Sequence, residues 1–199
     1  SAWPCLLLKS LNKYHADNKL VTIAYKAYNS SEVSEIKLFP YVVTTLKELK
    51  EKGCKVFLLT VGVHERQERK INILGLKPYF DEIVINDQEI GLLVEDCVKD
   101  LLRRHNIMPG EAVMVGDKAR DELRIAKLQG MITIQMLHGR FKNEPAVNEC
   151  DRPDYKIKRI FQIPTILQLN NMGKTPDKLK IIAIGGGTAP EMARSTPAV

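Results

Sequence analysis

Two short stretches of this chain carry hydroxyl and carboxylate groups in an order suited to holding a phosphate and a hard cation. In Leu58-Leu-Thr60-Val-Gly62 an apolar run ends in a threonine and a glycine. If that run is a strand feeding a helix, the Thr60 hydroxyl stands at the strand tip. The N–H groups of Val61 and Gly62 then face an anion near the helix N-terminus. In Met114-Val-Gly116-Asp117-Lys-Ala-Arg-Asp121-Glu122 a second apolar run ends in glycine and aspartate, with two more carboxylates close behind. A helical rise of ~1.5 Å per residue brings Asp121 and Glu122 back toward the pocket that holds Asp117. Hard oxygens in this pattern suit Mg²⁺, which binds through one or two carboxylates plus phosphate and water. The expected phosphate-binding set is therefore Thr60, Val61 and Gly62, and the expected metal set is Asp117, Asp121 and Glu122. Thr60 and Asp117 should project from adjacent strand tips into one pocket. A strand ending in threonine, or a Gly-Asp turn, is common by itself; the specificity lies in the pair.

The surrounding elements read as an alternation of strands and helices. Lys55 to Thr60, Glu82 to Asn86, Ala112 to Gly116 and Met131 to Leu137 are short apolar runs. They lack in/out alternation, as strands covered on both faces do, which points to a parallel sheet between helices. Between them, residues 64–74, 95–105 and 119–129 have helical periodicity, the first closed by Gly75 and the last by Gly130. Tyr41 to Lys52 is an amphipathic helix ending at Gly53, with Val42, Val43, Leu46 and Leu49 on one face. Residues 6–29 also read as helical, 138–153 as a loop, and 164–170 as a last helix with Pro164 in its first turn. In open α/β sheets ligands bind beyond the carboxyl ends of the strands, which is where both chemical stretches fall.

Composition narrows the class. Of 199 residues, 44% are hydrophobic and 27% charged, ordinary for a globular domain. No run approaches the ~20 apolar residues that span a bilayer, and the first residues lack the basic start of a signal peptide. Cys5, Cys54, Cys97 and Cys150 form no metal-ligand or disulfide spacing, and the histidines form none either. The expectation is a reducing, cytoplasmic compartment. The net charge of +6 is spread over predicted helix faces without aromatic interleaving, so neither a nucleic acid nor a membrane is expected as partner.

From about Ala24 to Leu169 the sequence resembles the haloacid dehalogenase superfamily. The resemblance is carried by Ile36-Lys-Leu-Phe-Pro-Tyr-Val, Val56-Phe-Leu-Leu-Thr-Val-Gly and Gln67-Glu-Arg-Lys-Ile-Asn-Ile-Leu-Gly-Leu-Lys-Pro-Tyr-Phe-Asp81. It continues in Pro109-Gly-Glu-Ala-Val-Met-Val-Gly-Asp117, Lys127 to Ile134 and Pro153-Asp-Tyr-Lys-Ile157. It implies a Rossmann-like α/β fold, a parallel sheet with helices on both faces, and a partial helical cap over residues 1–35 before a core over 36–170. It also implies phosphomonoester hydrolysis through an aspartyl-phosphate, with a small phosphorylated molecule as substrate. Thr60 would hydrogen-bond the phosphoryl group, and Asp117 with Asp121 or Glu122 would hold Mg²⁺.

Two departures stand against full activity. The family's first motif, a strand ending Asp-x-Asp that supplies the nucleophile, is absent before Ile36; Leu20 to Lys26 has lysine where the nucleophile would fall. The lysine of the third motif should lie near residues 92–94, which are apolar, and Lys99 stands over a turn further on. Without a carboxylate in line with phosphorus no covalent step is available, so no catalytic residue is assigned and the chain is expected to be inactive as it stands. Either the chain begins inside a longer phosphohydrolase, or the fold serves as a binding or scaffolding module. Residues 171–199 read as a linker followed by Ile181-Ile-Ala-Ile-Gly-Gly-Gly-Thr-Ala-Pro, similar to the opening of a glycine-rich nucleotide-binding domain of a larger enzyme, or else as a disordered tail.

Overall fold

The computed structural model describes residues 36–87 and 93–170, strands 180–185 and 193–195, and helical residues 19, 20, 23 and 26; the rest of the expected cap lies outside the described residues. The chain order is β1 (Ile36–Leu38), α1 (Val42–Glu51), β2 (Val56–Val61), α2 (His64–Ile73), β3 (Glu82–Asn86), α3 (Val94–Arg104), β4 (Ala112–Gly116) and α4 (Glu122–Leu128). It continues through β5 (Ile132–Met136), β6 (Tyr155–Ile157), α5 (Ile163–Asn170), β7 (Lys180–Gly185) and β8 (Ala193–Ser195).

Six strands form one sheet in the order β3-β2-β7-β4-β5-β6, and every pairing in it is parallel. Alternate residues of β2 explain its unbroken apolar run. Val56 and Leu58 enter the core on one face, with α1, α5 and Ile71 of α2. Phe57 and Leu59 enter the core on the other, with Val98 and Leu101 of α3 and Leu123 of α4. Each such buried side chain contributes about 1.5–3 kcal/mol of transfer free energy, so a polar residue at any of these positions would have to be satisfied locally.

The helices bury nearly the faces their periodicity gives: Val42, Leu46 and Leu49 on α1, with Thr45 buried and Val43 only half-buried, and Val98, Leu101 and Leu102 on α3. Gly53 after α1 and Gly75 after α2 take the left-handed backbone that closes a helix. Tyr41, the N-cap of α1, has φ 69°, a left-handed conformation that costs a non-glycine residue about 1–2 kcal/mol.

Two placements differ from expectation. The helix after β4 starts at Glu122 with Asp121 as its N-cap, not at residue 119; the turn through Lys118 to Arg120 uses up the residues that periodicity had assigned to helix. And β2 and β4 are not neighbours. Strand Lys180–Gly185 lies between them, pairing Thr60 with Gly185 and Val115 with Ala183. After it, β8 pairs antiparallel with β1, Leu38 opposite Ala193.

Candidate functional site at the strand tips

At the carboxyl end of β2, Thr60 is 2% exposed, and among the described residues its buried Oγ1 has no hydrogen-bond partner. Leaving a buried hydroxyl unsatisfied costs about 1–3 kcal/mol, so this atom is poised for an acceptor or donor that a ligand would bring. The turn that follows is built by a glycine. Gly62 has φ 148°, and a Cβ there would sit 2.4 Å from Nε2 of Gln67. Gln67, buried on α2, uses that space to donate to the Val61 carbonyl at 3.0 Å.

Of the backbone donors expected to cradle an anion, that of Gly62 is employed within the sheet. The Gly62 N–H donates to the Asn86 carbonyl at 3.0 Å, tying the tips of β2 and β3 together. At the start of α2 the His64 N–H donates to the Asp87 carboxylate at 3.3 Å, so a side-chain anion already sits at that helix end. The Thr60 hydroxyl, by contrast, is left buried without a hydrogen-bond partner among the described residues.

At the tip of β4, Asp117 is 5% exposed, and its carbonyl accepts a hydrogen bond from Gln135 Nε2 at 3.1 Å. That bond explains the single amide in the apolar strand β5. Glu122 folds back over Gly116, where a Cβ would meet its Cγ at 3.0 Å. Its Oε1 accepts the Lys118 N–H at 3.0 Å, while the Lys118 Nζ lies 4.0 Å from its other oxygen. Burial pushes the Glu122 carboxyl up to about 8, against the pull of the Lys118 ammonium. Asp121 is more exposed and lies 3.6 Å from the same ammonium.

The structure thus brings Thr60 and Asp117 to one end of the sheet, both buried, with one strand between them. The two tips are not adjacent because β7, contributed from the far end of the chain, lies between β2 and β4, and spacing along the chain carries no sign of it. The fit to Mg²⁺ rests on the donor set. Asp117 offers hard carboxylate oxygen at the tip; Asp121 is more exposed and lies beside the Lys118 ammonium, and the buried Glu122 already accepts the Lys118 N–H. Among the described residues no group of three or more acidic, histidine or cysteine ligands is preassembled.

Several residues at the tips were not singled out from sequence. Asn86, Gln67 and Gln135 are polar residues at buried positions of otherwise apolar strand or helix faces, and that mismatch is the signal that could have found them. Lys118, its ammonium 5.6 Å from the Phe141 ring centre, supplies a cation beside Asp117. Lys99 is excluded: it is exposed and paired with Glu95 at 2.6 Å. No helix among the described residues is long and apolar enough to cross a membrane.

Residues 6–135 match the sequence profile of the haloacid dehalogenase-like hydrolases. The chain is similar to a glyceraldehyde 3-phosphate phosphatase of Methanopyrus kandleri, 34% identical over 143 residues that cover 71% of this chain and 61% of the relative. It is similar to the enzyme of that name from Methanocaldococcus jannaschii, 32% identical over 160 residues covering 79% and 68%. Among solved structures it is similar to a HAD phosphatase from Thermococcus onnurineus, 28% identical with a TM-score of 0.53, covering 65% of this chain and 57% of that one. The chain therefore spans 61% to 68% of the length of these two curated relatives.

Proposed function

Because the chain belongs to the haloacid dehalogenase-like hydrolase family, we propose that its strand tips hold the phosphate of a small phosphorylated molecule together with Mg²⁺. The observation that carries this reading is the Thr60 hydroxyl, buried at the tip of β2 with no hydrogen-bond partner among the described residues. In the proposal Thr60 donates to a phosphate oxygen, and Asp117, with Asp121 swung in, holds the cation. Mg²⁺, when bound there, would neutralise part of the phosphate charge. Lys118 adds a positive charge beside Asp117 and offsets the repulsion between that carboxylate and the incoming anion. The relatives named as phosphatases support phosphomonoesters as the substrate class. A cytoplasmic setting is part of the same proposal.

A specific feature favours binding without turnover in this chain. Thr60 pairs with Gly185, and Val115 with Ala183; carrying that register two residues on puts Asp117 level with Gly185. The middle tip thus carries glycine at the level where a covalent route requires a carboxylate facing phosphorus. The roles of scaffold or of one module within a larger nucleotide-binding enzyme follow from this second reading.

Titrating the 199-residue chain with inorganic phosphate in the presence of MgCl₂, followed by ³¹P NMR, tests the binding claim. Thr60→Val and Asp117→Asn should each weaken binding by about tenfold or more, the equivalent of one lost hydrogen bond to a charged group. Undiminished binding by both variants would remove the site. A p-nitrophenyl phosphate assay tests the other half: Mg²⁺-dependent turnover by the unaltered chain would refute binding without hydrolysis.

A further inference from the structure

Beyond β4, at the carboxyl ends of β5 and β6, the domain has a half-open cavity of about 220 Å³ whose walls include Phe39, Tyr41, Met136, His138, Lys158 and Arg159. Thr60, Asp117 and Glu122 are not among its lining residues. Its walls are of two kinds. One is aromatic and apolar: Phe39 meets the His138 ring edge-on at 4.5 Å, and Tyr41 meets Phe161 at 5.4 Å. The other is cationic: Lys158 and Arg159 directly follow β6, exposed, and neither forms an ion pair among the described residues.

We propose that this cavity binds a small aromatic anion, its ring against Phe39, Tyr41 and Met136 and its acid group at Lys158 and Arg159. Gln162 Oε1 accepts both the Lys158 N–H and the Arg159 N–H at 3.0 Å, which fixes the backbone from which the two side chains extend. An inorganic anion would leave the aromatic walls uncovered, and an uncharged hydrocarbon would leave two cations unneutralised. A cationic ligand would be repelled by them. The volume lies below the roughly 300–1,000 Å³ of drug-sized sites, which limits the occupant to about one ring and its acid group. Tyr41 adds an independent pointer. Its backbone sits at φ 69°, where glycine would be unstrained, yet the position carries a large ring, 55% exposed, that edges the cavity. Strain of this kind persists where a side chain has a role to fill.

The test uses the 199-residue chain and saturation-transfer NMR with benzoate, cyclohexanecarboxylate and benzylamine as probes. Benzoate should bind at least about tenfold more tightly than benzylamine, a difference of one decade in Kd, with cyclohexanecarboxylate between them. The double variant Lys158→Glu, Arg159→Glu changes only exposed side chains and should lose benzoate binding by about tenfold or more. Tyr41→Gly, which relieves the left-handed backbone, should fold and bind benzoate more weakly. Thr60→Val should bind benzoate as the unaltered chain does, so this result is independent of the phosphate site. Equal binding of benzoate and benzylamine, no benzoate signal, or benzoate affinity unchanged by the charge reversal would each overturn the proposal.

Discussion

Replacing Lys70 by methionine should make the protein more stable near neutral pH, although it removes a charged residue from a helix. Lys70 lies on the inward face of α2 beside Gln67 and Ile71 and is 4% exposed. Burial, with the nearby Arg66 charge adding to it, lowers its ammonium from 10.5 to about 8. Each tenfold change in proton affinity is worth about 1.4 kcal/mol, so holding the proton in the folded state costs roughly 3 kcal/mol relative to the unfolded chain. Methionine is unbranched and of similar reach, and it keeps the apolar stem while discarding the charge. Partial burial in the denatured ensemble reduces the gain, and about 1–3 kcal/mol is expected at pH 7 by urea unfolding. The sign with pH follows from proton counts. Below about 8 both states of the unaltered protein carry the proton, and the full penalty stands. Between about 8 and 10.5 the folded state has released it while the unfolded state has not, so stability rises with pH. The advantage of Lys70→Met should therefore shrink across that window. A variant that is less stable at pH 7, or a gain that stays constant from pH 7 to about 10, would show that Lys70 has a compensating partner and refute the argument.

Two other outcomes follow from the packing. Deleting residues 171–199 removes β7 from between β2 and β4 and leaves two facing strand edges in the middle of the sheet without their backbone partners; loss of cooperative thermal unfolding is expected in circular dichroism, whereas a dispensable tail would leave the transition unchanged. Gly62→Ala places a Cβ 2.4 Å from Gln67 Nε2 at φ 148°, and denaturant titration should show a loss of about 1–3 kcal/mol; adding Gln67→Ala should recover the steric part of that loss but not the backbone part.

How much of this was legible in the sequence depends on whether the determinant is local. The strands Glu82–Asn86 and Ala112–Gly116 were readable to the residue, because each is a short, β-branched, apolar run bounded by turn signals. Helix ends at Gly53, Gly75 and Gly130 were readable because only a residue tolerant of positive φ closes a helix that way. Three-residue β1 and β8 were not, since so short a strand has no periodicity and exists only through its pairing. The candidate site divides along the same line. Thr60 and Asp117 were identifiable as polar residues at the ends of apolar runs, but the commitment of the Gly62 N–H to Asn86 and of Glu122 to Lys118 was not. Such bonds join segments whose approach no local pattern encodes.

The sequence by itself determined the parallel α/β class, the family, and the residue types available at the strand ends. It did so because hydrophobic periodicity, capping glycines and motif spacing are properties of neighbouring residues. The order of strands, the place of Lys180–Gly185 between β2 and β4, and the cavity between Tyr41 and Lys158 were decided only by the tertiary structure. Backbone hydrogen bonding is the physical reason: a strand edge accepts any extended segment of suitable direction and burial, so which segment fills it is settled by the whole chain competing for that edge.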